Sequence, residues 1–202
     1  MNWLAHLYLS EPDPEFRLGN LLADVVKRGD RARMGESFLR GTRRHHAIDA
    51  FTDSHPIVCR SKARMGDGYP HVKGILVDLF YDHFLAAGWE RHAGGRLDSF
   101  TAEVYSLMRA CTLPLPGEAR DMLQWILRAD RLGAYRSVAG IESALRRLSD
   151  RLSARVGKEL ALHRAVADLL QHYDGLRSDF DEFFPLLRAH VSPRDVRHAQ
   201  TG

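Results

Sequence analysis

Cysteine is nearly absent from this 202-residue chain: Cys59 and Cys111 stand far apart in unrelated contexts. That excludes a disulfide scaffold and a zinc ribbon, and makes a reducing compartment the simplest setting. Long apolar runs are missing too, and none reaches the roughly 20 residues that a membrane-spanning helix needs. The opening run Trp3 to Leu9 is short and interrupted by His6, with no basic region before it and no small-residue cleavage site after it. It does not read as a secretory signal, so the expected location is the cytoplasm. Val and Ile are sparse, and no alternating β-branched run bounded by turns signals a strand. There is no P-loop, no G-x-G-x-x-G and no G-x-S-x-G elbow, which removes the common nucleotide-binding and serine-hydrolase readings. Glu-x-x-His pairs, the mark of a di-iron bundle, do not occur at apolar positions.

What remains is ordinary for a soluble domain: 45% hydrophobic, 27% charged and a formal net charge of +3. The length fits one domain with a core that needs no staples. Helical periodicity predicts helices over Phe16–Lys27, Phe38–Phe51, Ile57–Met65, Val72–Trp89 and Leu97–Met108. A turn at Pro114, Pro116 and Gly117 separates these from helices over Glu118–Leu132, Val138–Leu152 and Glu159–His190, the last bending near Gly175. The expected class is all-α, a single-domain helical bundle over residues 1–202. The Arg-rich stretch Arg146–Arg164 reads as a solvated helix surface.

Eleven histidines are many for this length, and several stand with aspartates inside apolar runs. His6 interrupts Trp3-Leu4-Ala5-His6-Leu7. Asp24 follows Gly19-Asn20-Leu21-Leu22-Ala23 on an expected helix, where burying a carboxylate is costly unless it is paired or binds a cation; pairing with Arg17 or Lys27 is the plainer alternative. His45, Asp49 and Asp53 are spaced by four, which puts them on one face of a helix, a turn apart. Asp53 could instead cap the next helix. Asp78 and Asp82 repeat that spacing, with His83 adjacent, in a segment apolar nearly all round. Imidazole nitrogens with carboxylate oxygens suit a divalent cation, and the nearest general pattern is a helical His/Asp phosphohydrolase site. A polar network compensated by arginines would use the same residues.

Between two of these regions lie Lys27, Arg28, Arg31, Arg33, Arg40, Arg43 and Arg44 against only Asp30 and Glu36. Such a run can steer an acidic partner or simply solvate a loop. Without interleaved aromatics it does not read as a nucleic-acid site.

These stretches resemble the acyl carrier protein phosphodiesterase family. The likeness rests on Met1-Asn2-Trp3-Leu4-Ala5-His6-Leu7, Gly19-Asn20-Leu21-Leu22-Ala23-Asp24, His45-x-x-Ile48-Asp49-x-x-Thr52-Asp53 and Asp78-x-x-x-Asp82-His83-Phe84-Leu85. His172-Tyr173-Asp174-x-Leu176 with Phe180, Phe184 and Pro185 adds to it near the C-terminus, while residues 93–155 contribute little. The resemblance implies an HD-like all-helical fold and a divalent ion, Mn²⁺ or else Mg²⁺. It also implies hydrolysis of holo-acyl carrier protein to apo-acyl carrier protein and 4'-phosphopantetheine. On this reading the metal set is drawn from His6, Asp24, His45, Asp49, Asp78 and Asp82, with Asp53 behind it. Asp24 and His83 are the catalytic candidates, and Lys27, Arg28, Arg40, Arg43 and Arg44 dock the acidic carrier. Tyr8 is a departure, since family members often have His-Leu-His where this chain reads His6-Leu7-Tyr8. An HD-type phosphohydrolase of nucleotides or another small phosphodiester is the alternative, followed by a non-catalytic module that binds the carrier.

Overall fold

The computed structural model describes residues 1–192, apart from Pro70, Ala129 and the side chain of Arg155. Among the described residues every regular element is helical. In chain order the helices are α1 (Trp3–Tyr8), α2 (Pro14–Leu21), α3 (Arg28–Arg31), α4 (Glu36–Ser54), α5 (Pro56–Arg64), α6 (Lys73–Ala87) and α7 (Trp89–Ala93). They continue as α8 (Leu97–Arg109), α9 (Gly117–Leu127), α10 (Arg131–Ala134), α11 (Val138–Val156), α12 (Val166–Gln171) and α13 (Tyr173–Val191). A 3₁₀ turn at Leu162–Ala165 precedes α12.

Local chemistry sets the starts. Asp13 caps α2 by accepting from Phe16 N at 2.7 Å, with Pro14 in the first turn. Pro56 opens α5, as its sequence position predicts, and Ser137 caps α11 through Gly140 N.

Three expected helices are interrupted. The Phe16–Lys27 helix stops at Leu21, and residues 22–25 form turns. Arg31 fastens this corner by donating to the carbonyls of Ala23 and Val26, the latter at 2.8 Å. The Glu118–Leu132 segment breaks near Asp130, whose φ of 40° is left-handed and cannot continue a right-handed helix; Ala129 within it lies outside the described residues. The Glu159–His190 segment is also broken, at His172 rather than near Gly175.

The core is one contiguous apolar cluster that draws residues from Met1 to Val191. Its centre is α6, with Leu76, Val77, Phe80, Tyr81 and Leu85 fully buried. Helices α2 and α4 cross almost in backbone contact. A methyl group at Gly19 would overlap the Phe38 carbonyl, and one at Gly41 would overlap the Phe16 carbonyl. This approach carries Asn20 on α2 up to His45 on α4. No helix among the described residues is long and apolar enough to cross a membrane.

Candidate metal centre

His6, His45 and Asp49 converge, each offering a ligand atom within 4.8 Å of the others. His6 projects from α1 and is 2% exposed; His45 and Asp49 lie one turn apart on α4. His6 Nε2 lies 3.1 Å from Asp49 Oδ1 and 3.1 Å from the Met1 carbonyl oxygen. His45 Nε2 lies 3.0 Å from Asp49 Oδ2 and 3.3 Å from Asp24 Oδ1, yet it is buried and meets neither along a hydrogen-bond direction. The far nitrogens are held by α2: His6 Nδ1 by the Asn20 side chain at 2.9 Å, and His45 Nδ1 by the Asn20 carbonyl at 2.8 Å.

The electrostatics are those of a tightly coupled His–Asp group. Burial lowers the pKa of His6 against the pull of Asp49, and the proximity of His45 adds to the lowering, so a second proton on that ring is disfavoured. Burial also works against His45, but Asp24 and Asp49 outweigh it and raise His45 to about 9. Burial likewise opposes an ionised Asp49, but the two imidazoles and the Met1 amino group hold it well below the usual carboxylate range. A neutral His6 ring carries one proton yet faces oxygens at both nitrogens, a conflict that either a cation between Nε2 and Asp49 or a second ring proton would relieve. A divalent ion would serve as that cation, and two imidazoles with carboxylate oxygens are a suitable donor set.

The other expected residues divide into groups. Asp24 lies on the rim, its side chain 76% exposed, with His45 lowering its pKa. It stands in the turn after α2 rather than on a helix among apolar neighbours. Asp78 joins the cluster through the Met1 amino group, 3.0 Å from Asp78 Oδ1 and 3.5 Å from Asp49 Oδ1. Asp82, fully buried, spends both oxygens on the N-terminus of α1, accepting from Leu4 N at 2.7 Å and Ala5 N at 3.2 Å. Burial raises Asp82 to about 7 even though these donors favour its charge. Asp53 points elsewhere, 3.7 Å from Lys62 and mostly exposed.

His83 follows Asp82 in sequence, so it projects about 100° away around the helix. Its Nδ1 meets the Tyr135 carbonyl at 2.8 Å and its Nε2 the Tyr173 hydroxyl at 3.0 Å, so it is bonded outside the His6–His45–Asp49 group. Tyr8 also lies outside that group: its hydroxyl donates to the His92 carbonyl at 2.8 Å and its ring packs on Trp89.

Asn20, which contacts both imidazoles of the cluster, was not assigned by the sequence reading, although it stands in a stretch that carries the resemblance. The available signal was a fully buried-type amide inside Gly19-Asn20-Leu21-Leu22, where an unpaired polar group would be costly.

The basic run is partly committed. Arg40 pairs with Glu11, Arg43 pairs with Glu36 at 2.5 Å, and Arg44 donates to the Leu9 carbonyl at 3.0 Å. Lys27 and Arg28 are exposed and form no ion pair among the described residues.

The sequence model described as acyl carrier protein phosphodiesterase matches residues 1–187. A protein of that name from Photorhabdus laumondii is 28% identical over 199 residues, spanning 96% of this chain and 97% of its own. Relatives with the same name from Serratia proteamaculans and Yersinia pestis are 29% and 27% identical, covering 97% and 99% of this chain and 100% of their own. No solved structure matches the chain. The match over nearly the full length places this chain in the acyl carrier protein phosphodiesterase family.

Proposed function

We propose that this chain hydrolyses holo-acyl carrier protein to apo-acyl carrier protein and 4'-phosphopantetheine, acting in the cytoplasm as one helical domain of HD-like type. One observation supports this above others: in a member of this family, His6, His45 and Asp49 form a buried donor cluster that opens at Asp24.

His6, His45 and Asp49 would hold the divalent ion, Mn²⁺ by preference, with Asp24 and Asp78 completing its surroundings. Such an ion supplies charge neutralisation at the phosphate and activation of water. Water's oxygen adds to phosphorus, the bond to the carrier serine breaks, and the serine oxygen takes up a proton. Asp24, ionised on the rim, orients the incoming water. His83 donates from Nδ1 to the Tyr135 carbonyl and accepts from the Tyr173 hydroxyl at Nε2, so it can take up a proton by way of that hydroxyl but holds none to give. Lys27 and Arg28, close to Asp24 in the chain and free of ion pairs among the described residues, guide the acidic carrier toward the rim.

The test is the intact mass of holo-acyl carrier protein after incubation with the enzyme in Mn²⁺ or in EDTA. Metal-dependent loss of the phosphopantetheine mass is the expected result. No loss by a folded, metal-loaded protein would overturn it and turn attention to small phosphodiesters such as nucleotides.

A further inference from the structure

Asn20 is fully buried and makes contacts on two sides of the cluster without belonging to it. Its amide orientation follows from what surrounds it. The Nδ2 group donates to the His6 carbonyl at 2.7 Å and to Ser10 Oγ at 2.8 Å. A carbonyl can only accept, and the Ser10 hydroxyl spends its own proton on that same carbonyl at 2.8 Å. The amide oxygen must therefore face His6 Nδ1. On the backbone side the Asn20 carbonyl, also an acceptor only, faces His45 Nδ1. The close crossing of α2 and α4 at Gly19 and Gly41 holds the contact with His45 in place.

We propose that Asn20 is a positioning residue that fixes Nδ1 as the proton-bearing nitrogen of both His6 and His45, so that both Nε2 lone pairs are presented to one cation. The side chain sets the first ring and the main chain sets the second. One residue thereby aligns donors from two different helices. Histidines that bind a metal through one nitrogen commonly donate the other to an oxygen acceptor, and loss of that acceptor weakens metal affinity. The inference rests on the metal-site reading above and adds which atoms prepare the two imidazoles.

The experiment has two arms. In the first, the wild-type protein carrying ¹⁵N-labelled histidine is titrated with diamagnetic Mg²⁺ and followed by long-range ¹H–¹⁵N spectra. Both rings should end with Nδ1 protonated and Nε2 bare. A bound ring carrying its proton on Nε2 would overturn the role of Asn20. Ring signals that ignore both Mg²⁺ and Mn²⁺ would overturn the metal reading itself, and the inference with it.

In the second arm, Mn²⁺ affinity is measured for Asn20→Leu and Asn20→Asp. The leucine keeps the main-chain carbonyl but removes the acceptor for His6, so the dissociation constant should rise about 10–100-fold. The aspartate keeps an oxygen toward His6 Nδ1 but turns a second acceptor oxygen on the His6 carbonyl, so its affinity should lie between that of Asn20→Leu and wild type. Wild-type affinity in Asn20→Leu would sink the proposal. Should Asn20→Leu fail to fold, the spectra of the wild-type protein decide alone.

Discussion

The rings of His6 and His45 stack face to face, with centroids 4.2 Å apart and planes 19° from parallel. Two imidazolium rings would repel each other in this arrangement. Burial lowers the pKa of His6, so His6 is the ring that stays neutral beside His45.

Asp24 is exposed and lies outside the apolar core, so Asp24→Asn should cost no more than about 1 kcal/mol, the worth of its solvent-exposed pairing with His45. Catalysis should still fall by about 10²-fold or more, because a charge that meets substrate or solvent in the site is lost. Turnover of holo-acyl carrier protein and a urea denaturation curve check this together. Near-normal turnover would remove Asp24 from the mechanism.

The metal-free protein should lose stability as pH rises from about 7 to 9. His45 ionises near 9 in the folded chain, against an ordinary 6.5. A raised folded value means that its stabilisation is complete below 6.5 and is lost as pH climbs through about 9. The slope approaches about 1.4 kcal/mol per pH unit for one proton. The Met1 amino group, raised from 8.0, adds a loss of the same sign beginning above 8.0. Melting curves in EDTA should therefore flatten between pH 7 and 8 in His45→Gln, and an unchanged slope would contradict the assignment.

Asp82 anchors α1, and Asp82→Ala would leave the buried Leu4 and Ala5 amides without an acceptor. Each unmet group costs about 1–3 kcal/mol, so the variant should be destabilised by at least about 2 kcal/mol in urea. Asp82→Asn, which keeps one acceptor oxygen, should lie between it and wild type. Equal stability of all three would place the α1 amides in contact with some other group.

If His83 takes up a proton through Tyr173, then Tyr173→Phe and His83→Gln should each lower kcat by about 10²-fold with little change in KM. The double variant should be no slower than either single one, since both cut the same path. Additive losses would mean that the two side chains act independently.

Charge reversal at Lys27 and Arg28 should raise KM for the carrier protein several-fold and weaken its dependence on salt, leaving kcat unchanged. Reversal at Arg43, already paired with Glu36, should do less. The same KM shift from both sites would show that net charge, not the Lys27–Arg28 corner, governs docking.

The all-helical class and most helix boundaries were legible in the sequence because apolar period and capping residues act locally. Pro56 and Ser137 sit where local rules put them. The i, i+4 spacing of His45 and Asp49 likewise places both on one side of α4 before any tertiary contact forms. That spacing could not show which partner each side chain meets. Asp49 and Asp53 share a helix face, yet one joins two histidines and the other pairs with Lys62, because α1 covers only the first. The apolar setting of Asp82 and His83 reports burial and not direction. Burial can be met as well by the amides of α1 or the hydroxyl of Tyr173 as by a cation. The sequence by itself determined which groups would need compensation in the core. The tertiary structure alone decided what compensates each, since the crossing of α2 and α4 and the docking of α1 on α6 are set by packing between distant segments.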